Sequence, residues 1–177
     1  MRMGYRGIGR VLGWLAVAVV LTLSWAASPV SADTIVVDQS GTGDYTTIQG
    51  AVTAANPNDV ITVSAGTYTE NVVINKSLTI QGPGVDETFV EGVSTDSGVF
   101  QIGTADRTIT VLITDLTIQN GSGWQGGGVF NKASLTLRRC RVSGNDLPDG
   151  SYGGGIANGQ SGIDARMTID ECTIDGN

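Results

Sequence analysis

The sequence predicts a single-stranded, right-handed parallel β-helix (a solenoid) with a short capping helix at its N-terminal end. The first indication is an internal repeat, because Leu135–Asn145 (LTLRRCRVSGN) returns 32 residues later as Met167–Asn177 (MTIDECTIDGN). The second is a glycine-rich opener before each copy, GGGVFN at Gly126–Asn131 and GGGIAN at Gly153–Asn158. A repeat of this length indicates structural units that stack on one another.

A third copy precedes these two, so coils of different length follow one another. Val111–Ile118 aligns with Leu135–Val142 at an offset of 24 residues, and the extra residues of the next coil fall in Leu147–Tyr152 and Gly159–Asp164. Because the strands keep register while the loops vary, like residues are expected to stack about 4.8 Å apart. The predicted interior stacks are Val111/Leu135/Met167, Ile113/Leu137/Ile169, Leu116/Cys140/Cys172 and Ile118/Val142/Ile174.

Before the repeats, the hydrophobic period indicates one strand, one helix and then only strands. Thr34–Asp38 is rich in β-branched residues, which indicates a strand. Thr47–Ala55 is predicted to be an amphipathic helix, because apolar residues recur at i, i+3, i+4 and i+7 from Ile48. Thr46 or Thr47 is expected to cap this helix. The further predicted strands are Val60–Val63, Val72–Ile74, Leu78–Ile80, Thr88–Val90, Val99–Ile102, Thr108–Ile113 and Leu116–Ile118.

Residues 1–32 have the layout of a secretory signal peptide, which leaves 33–177 as the β-helix domain. Basic residues precede the apolar run Val11–Ala27, and Val30-Ser31-Ala32 supplies the small residues of a cleavage site. A membrane anchor is the alternative, because the run approaches spanning length. The sequence stops directly after a repeat, so we expect a domain that is incomplete at its C-terminus. Its open last coil would be covered either by further coils in the native protein or by end-to-end association.

Charge and residue usage exclude several functions. Without the leader the chain has seven basic and 17 acidic residues, which argues against nucleic acid and anionic lipid as partners. It has no histidine, so the commonest general base and zinc ligand are missing. Cys140 and Cys172 occupy the same place in successive repeats, and we expect a reduced or partly bonded stack, with a disulfide as the alternative.

Four segments resemble the N-terminal part of pectin methylesterases and related β-helix proteins of the pectin-lyase-like superfamily. They are Thr47–Gln49, Ile61–Val63, Gly66–Glu70 (GTYTE) and Leu78–Gly82 (LTIQG). The resemblance covers about Thr34–Val90 and implies a capping helix followed by the first coils. The GGG openers and their Asn-terminated closers resemble the repeats of chlamydial polymorphic outer-membrane proteins.

The resemblance to pectin methylesterases implies catalytic aspartates, flanking glutamines and an arginine in later coils, in motifs such as QDTL, DFIFG and LGRPW. None of these motifs occurs in the sequence. Tyr68 and Glu70, which match the GxYxE motif, are interpreted as parts of a structural turn. The favoured function is therefore a non-catalytic exported surface or matrix protein that binds polysaccharide or a cell-surface glycan. The alternative is a polysaccharide-active enzyme, pectin lyase-like or esterase-like, whose catalytic coils are absent from this chain.

Two groups are candidates for a ligand surface, and no catalytic or metal-binding residue is assigned. Arg138, Arg139 and Arg141 form a dense basic cluster that suits an acidic sugar. The repeat offers a structural role instead, in which cross-coil ion pairs join Arg138 to Asp170, and Arg139 to Asp115 or Glu171. Trp124 and Tyr152 each come shortly before a GGG opener and are expected at one corner, where they contact carbohydrate or pack.

Calcium is the one cofactor that the residues allow. Asp146, Asp149 and Asp164 lie on the long loops, and carboxylate oxygens are calcium ligands. The favoured interpretation assigns them to turns, where aspartate is common. We therefore predict no cofactor.

Overall fold

The protein forms a right-handed parallel β-helix in a computed structural model. The structure describes residues 31–93, 98–103, 108–147, 152–160 and 162–177. The predicted leader therefore lies, up to residue 30, outside the described residues. Within these ranges no helix is both long enough and apolar enough to cross a membrane.

The described residues form one helix and fifteen strands. The elements are β1 Thr34–Val37, α1 Ile48–Ala54, β2 Val60–Val63, β3 Gly66–Thr69, β4 Val72–Ile74, β5 Leu78–Gln81, β6 Thr88–Glu91, β7 Phe100–Ile102, β8 Thr110–Thr114, β9 Thr117–Gln119, β10 Val129–Asn131, β11 Ser134–Arg138, β12 Arg141–Ser143, β13 Ile156–Asn158, β14 Arg166–Asp170 and β15 Thr173–Asp175. The predicted strands β2 and β4 are confirmed to the residue, and the other predicted strands differ by one or two residues at one or both ends.

Successive strands pass through three parallel sheets, and each circuit is one coil. The first sheet has the order β1-β2-β5-β8-β11-β14, the second β15-β12-β9-β6-β3, and the third β13-β10-β7-β4. Every ladder within these sheets is parallel. The sequence pattern thus produces coils whose side chains stack along the helix axis.

The predicted register is confirmed. Leu135 pairs with Val111 on one side and Met167 on the other, and Val142 pairs with Ile118 and Ile174. The column through Leu137 continues down the whole first sheet, as Ile35, Ile61, Ile80, Ile113, Leu137 and Ile169. Its four middle members are fully buried, and each such side chain contributes about 1.5–3 kcal/mol.

The last coil is more open than the coils below it. Ile169 and Ile174 keep their register but are 47% and 46% exposed. End-to-end association through this coil stays a prediction.

The capping helix α1 is one residue shorter at each end than the predicted Thr47–Ala55, and a distant carboxylate holds its first turn. Thr47 caps it by accepting a hydrogen bond from the Gly50 amide at 3.2 Å. The two carboxylate oxygens of Glu70 accept from the amides of Ile48 and Gln49, both at 2.8 Å. An anion at this position satisfies amides that have no partner inside the helix and complements the helix dipole.

The GTYTE segment is therefore structural, but its interpretation as a turn was wrong. Gly66–Thr69 forms strand β3, which pairs with β6, and Tyr68 is buried in the core. The two threonines of the strand point outward, while the tyrosine points inward.

We predict that Glu70→Ala lowers the free energy of unfolding by about 2 kcal/mol, because two helix amides lose a charged acceptor. Urea unfolding followed by circular dichroism measures the change. Asp86→Ala, which removes an exposed carboxylate from a loop, is the matched control and should change stability little. Equal stability of the two variants would contradict the role given to Glu70.

Charged residues occupy the sharp corner between the first and second sheets. Asp115, Arg139 and Glu171 hold equivalent places in three coils and adopt φ values of 60°, 48° and 52°. Glycine and asparagine are the usual residues at such left-handed positions, and they occur at the next corner, in Asn120 and Gly144. The first corner therefore projects a column of alternating charges from the surface.

Candidate functional site

The basic cluster lies along this corner, and its best-defined contact is the predicted pair of Arg139 with Asp115. Arg139 Nε and Nη2 each donate to one carboxylate oxygen of Asp115, both at 2.7 Å. Thr114 Oγ1 also donates to that carboxylate, at 2.6 Å. The hydrogen bonds from Arg139 and, to a smaller extent, the one from Thr114 hold the pKa of the Asp115 carboxyl below its ordinary value of 3.8. The same contact raises the pKa of Arg139.

Of the other two arginines, Arg138 lacks its predicted ion pair, and Arg141 forms one that was not predicted. Arg141 Nη2 lies 3.0 Å from Asp175 Oδ2 on the next coil, a pair that the repeat alignment did not identify. Arg138 lies opposite Asp170 in the ladder, as predicted, but forms no ion pair with it. Its Nε is buried without a hydrogen-bond partner. The shared register places the backbones of Arg138 and Asp170 side by side, but it does not determine where the Arg138 side chain points.

The cluster is therefore a poor receptor for an acidic sugar. A shallow groove of 480 Å³ beside it is lined by the arginines 139 and 141 but also by three carboxylates, those of Asp86, Glu171 and Asp175. Both of these arginines are already paired across coils. The structural interpretation, a charge ladder on the outer face, fits this geometry better.

We predict that Arg139→Gln raises the pKa of the Asp115 carboxyl toward its ordinary value, because the charged fork is lost. Since the folded-state pKa is lowered, the pair stabilises the fold above the unfolded-state pKa. That contribution disappears as the pH falls through the folded-state pKa. NMR titration of Asp115 measures the shift, and Arg139→Lys, which keeps the charge but loses the fork, should give a smaller one. An unchanged Asp115 titration in Arg139→Gln would contradict the pairing.

The two cysteines are unbonded and stacked. Cys140 is buried, and its amide donates to the Cys172 sulfur at 3.4 Å. Burial raises the pKa of the Cys140 thiol to about 12. A thiol in this state is inert at neutral pH, so Cys140 acts as a core residue and not as a nucleophile.

The acidic loop residues do not converge on a metal within the part of the chain that the structure describes. Asp146 is exposed and accepts a hydrogen bond from the Leu147 amide at 2.8 Å. Asp149 lies outside the described residues. No group of three acidic, cysteine or histidine side chains gathers among the described residues. Calcium binding is therefore neither supported nor tested by this arrangement.

A second surface, the aromatic edge, consists of Trp124, Gln125 and Tyr152 at the corner before the third sheet. Trp124 is 57% and Tyr152 77% exposed. The two coils are joined here by a bridge between Gln125 and Tyr152, and the Tyr152 amide donates to the Trp124 carbonyl at 3.4 Å. The structure thus places the two aromatic residues on adjacent coils, as the sequence predicted.

The aromatic edge borders a groove of 310 Å³. Gln125 and Tyr152 line it together with Ala157, Gly159 and Gln160. Gln125 was not among the residues predicted from the sequence, although the repeat places it level with Tyr152, since the two directly precede Gly126 and Gly153.

The GGG openers bring adjacent coils together beside this groove. A Cβ on Gly127 would lie 2.6 Å from the Gly154 carbonyl oxygen and 2.7 Å from that of Asp146. Only glycine permits this approach. Ser122 and Asp146 form a further bridge between these coils, so an exposed carboxylate lies on the same corner as the aromatic edge.

Asp146 and Gln125 lie on bridged coils at this corner, and Gln125 lines the groove. A carboxylate such as that of Asp146 can serve as a general base toward water, and an amide such as that of Gln125 can donate to a developing oxyanion. None of the described residues that line the groove is cationic.

Comparison with known proteins first defines the class. The crystal structure of a pectin methylesterase mutant in complex with a hexasaccharide matches with a TM-score of 0.58 at 16% identity. The match covers 82% of this chain and 50% of that one, which shows the shared parallel β-helix fold. The pectinesterase family profile then matches residues 34–145, more than half of the chain, and the chain belongs to the pectinesterase family.

Individual relatives agree with this assignment. Pectinesterase 2 of Citrus sinensis is 34% identical over 125 residues, which cover 64% of this chain and 22% of the relative. Pectinesterase 3 of Solanum lycopersicum is 32% identical over 151 residues, which cover 77% of this chain and 28% of the relative. The chain thus spans less than a third of the length of these relatives.

The family assignment corrects the favoured function. The interpretation as a non-catalytic surface or matrix protein is wrong, because the match to pectinesterases extends well beyond Thr34–Val90, to residue 145. The enzyme alternative fits the family better, and the leaning against an enzyme is not supported.

Proposed function

We propose that the protein acts on methyl-esterified pectic polysaccharide as an esterase. The reaction adds water to the methyl ester of a galacturonate unit and yields the carboxylic acid and methanol. The observation that carries the proposal is the pectinesterase family match over residues 34–145, which takes in the capping helix and the coils up to Asn145.

The groups at the corner of the aromatic edge support this chemistry. Asp146 would take a proton from the attacking water while the amide of Gln125 donates to the ester oxygen that gains negative charge. The proton then passes to the methoxy group, which leaves as methanol. The two residues belong to consecutive coils that are bridged on this corner, so the β-helix holds their backbones in fixed register.

Export is part of the same proposal. The polysaccharide substrate lies outside the cell, and residues 1–32 have the layout of a secretory signal peptide. The acidic balance of the remaining chain is compatible with an extracellular enzyme that binds neither nucleic acid nor anionic lipid.

The proposal is tested by measuring methanol released from highly methyl-esterified pectin by the purified protein. Methanol is expected from this substrate and not from demethylated polygalacturonate, which is the control. The absence of methanol, together with no retardation of the protein in a pectin-containing gel, would overturn the proposal.

We predict that Asp146→Asn lowers the rate of methanol release by about a hundredfold or more, because the amide cannot accept the proton. Asp86→Asn removes the same charge from a different corner and should leave the rate unchanged. If both variants release methanol at the wild-type rate, Asp146 is not the base.

A further inference from the structure

We propose that the side-chain amide of Asn75 is the acceptor for an N-linked glycan. The proposal goes beyond the esterase function and rests only on the export that residues 1–32 indicate. The chain has two Asn-X-Ser sequons, Asn75-Lys76-Ser77 and Asn120-Gly121-Ser122, and this motif is the acceptor for glycosylation in exported proteins. The structure distinguishes the two sequons by the surroundings of their asparagines.

Asn120 lies in a close-packed corner. Its backbone has a φ of 56°, and its Nδ2 donates to Glu91 Oε1 at 3.1 Å. An added Cβ on the next residue, Gly121, would clash with the Gly127 carbonyl oxygen, and the Gly121 amide donates to the buried Asn145 side chain. A glycan on Asn120 would replace a hydrogen of the engaged Nδ2 and place a bulky group beside this contact. The folded coil therefore disfavours modification of the second sequon.

Asn75 lies on the connection between β4 and β5, where the backbone is anchored and the side chain is free. It is exposed, and among the described residues none forms a hydrogen bond with its side-chain amide. Lys76 Nζ donates to the Ala55 carbonyl at 2.7 Å, next to the end of α1. Ser77 Oγ accepts from the Thr110 amide at 3.0 Å. The two residues after Asn75 thus fix the loop, and attachment of a glycan breaks no side-chain contact.

The surface around Asn75 has room for the first sugar. Asn75 borders a groove of 420 Å³ between α1 and β4, which Gln49, Thr53 and Val73 also line. Val73 is 48% exposed, and a bulky, soluble glycan beside it would shield its apolar side chain from solvent. This corner leads from the third sheet to the first, whereas the aromatic edge lies at the corner before the third sheet. The glycan would therefore leave the candidate site open.

The modification is a glycosyl transfer to nitrogen. The donor is a polyprenyl diphosphate-linked oligosaccharide, which the oligosaccharyltransferase of the secretory pathway uses. A bond forms between Asn75 Nδ2 and C1 of the first sugar while the bond from C1 to the diphosphate oxygen breaks. The leaving diphosphate oxygen keeps the bonding electrons, and the amide nitrogen loses one proton. The product amide keeps one N–H donor.

The test is to secrete the full chain from a eukaryotic host and to measure its intact mass before and after treatment with peptide N-glycanase. Treatment should remove one glycan and leave an aspartate at the former attachment site, which peptide mass spectrometry locates. Asn75→Gln and Ser77→Ala should each abolish the mass change, whereas Ser77→Thr, which keeps the hydroxyl group, should retain it. Ser122→Ala destroys the other sequon, and this matched control should carry the same glycan as the wild type.

A secreted reporter with one accepted sequon, expressed in the same host, establishes that the donor and the transferase are present. If the reporter is modified and the wild-type chain carries no glycan, the proposal is overturned. A glycan that persists in Asn75→Gln and disappears in Ser122→Ala would also overturn it, because the acceptor would then be Asn120. The glycan readout does not depend on methanol release, so it tests the modification separately from the esterase function.

Discussion

Leu137→Asp will destabilise the β-helix by about 4 kcal/mol or more. Leu137 is fully buried in the first sheet, between Ile113 on one coil and Ile169 on the next. An aspartate there has no partner for its charge, and burial of an unpaired carboxylate is among the most costly single changes in a protein. Urea unfolding of the purified variant, followed by circular dichroism, measures the loss.

The neighbouring residue gives the matched control. Thr136 belongs to the same strand but points to the other face and is only partly buried, so Thr136→Asp should change stability little. If Leu137→Asp does not fold at all, Leu137→Ala should still fold and lose about 2–5 kcal/mol through the cavity it leaves. A Leu137→Asp protein as stable as Thr136→Asp would show that the register is wrong.

Asn145→Ala will cost about 3 kcal/mol, because this side chain satisfies several buried backbone groups. Its Nδ2 donates to the Ile118 carbonyl at 3.1 Å and to Asn177 Oδ1 at 2.8 Å, and its Oδ1 accepts from the Gly121 amide at 3.0 Å. Asn145 is fully buried, so water cannot replace these hydrogen bonds. Each buried group left unsatisfied costs about 1–3 kcal/mol.

Asn177→Ala is the comparison for this prediction. Asn177 occupies the same place one repeat later and donates to the Val142 carbonyl, but it is exposed. Water can therefore take over its hydrogen bonds, and the loss of stability should be clearly smaller. Thermal and urea unfolding of the two variants side by side give the difference, and equal losses would contradict an energetic role for burial in this asparagine ladder.

The sequence was sufficient for the coil register because a parallel β-helix repeats its apolar positions at equal steps. The stacks through Leu135, Leu137 and Val142 were predicted to the residue. Strand β3 was not predicted. Its two threonines point outward, and Tyr68 is its one buried residue. The roles of Glu70 and Asn145 depend on contacts between residues distant in sequence, which no local pattern reports.

The candidate site was only partly predictable. The pair of Arg139 with Asp115 followed from their equivalent places in the repeat, whereas Arg138 and Asp170 share a register without making contact. The sequence lacks the QDTL-type motifs, and the non-catalytic function predicted from their absence was wrong. Because one fold supports many functions, the residues of the site and not the β-helix itself decide the activity.

Analysis of the products from a methyl-esterified galacturonate oligomer of defined length tests the central claim most directly. Mass spectrometry follows the oligomer during incubation with the purified protein, and methanol is measured in the same sample. The account predicts stepwise loss of methyl groups, one methanol for each, with the length of the oligomer unchanged. Shorter or unsaturated oligomers would indicate a lyase or hydrolase, and these products, or an oligomer that keeps all its methyl groups, would contradict the assignment as an esterase.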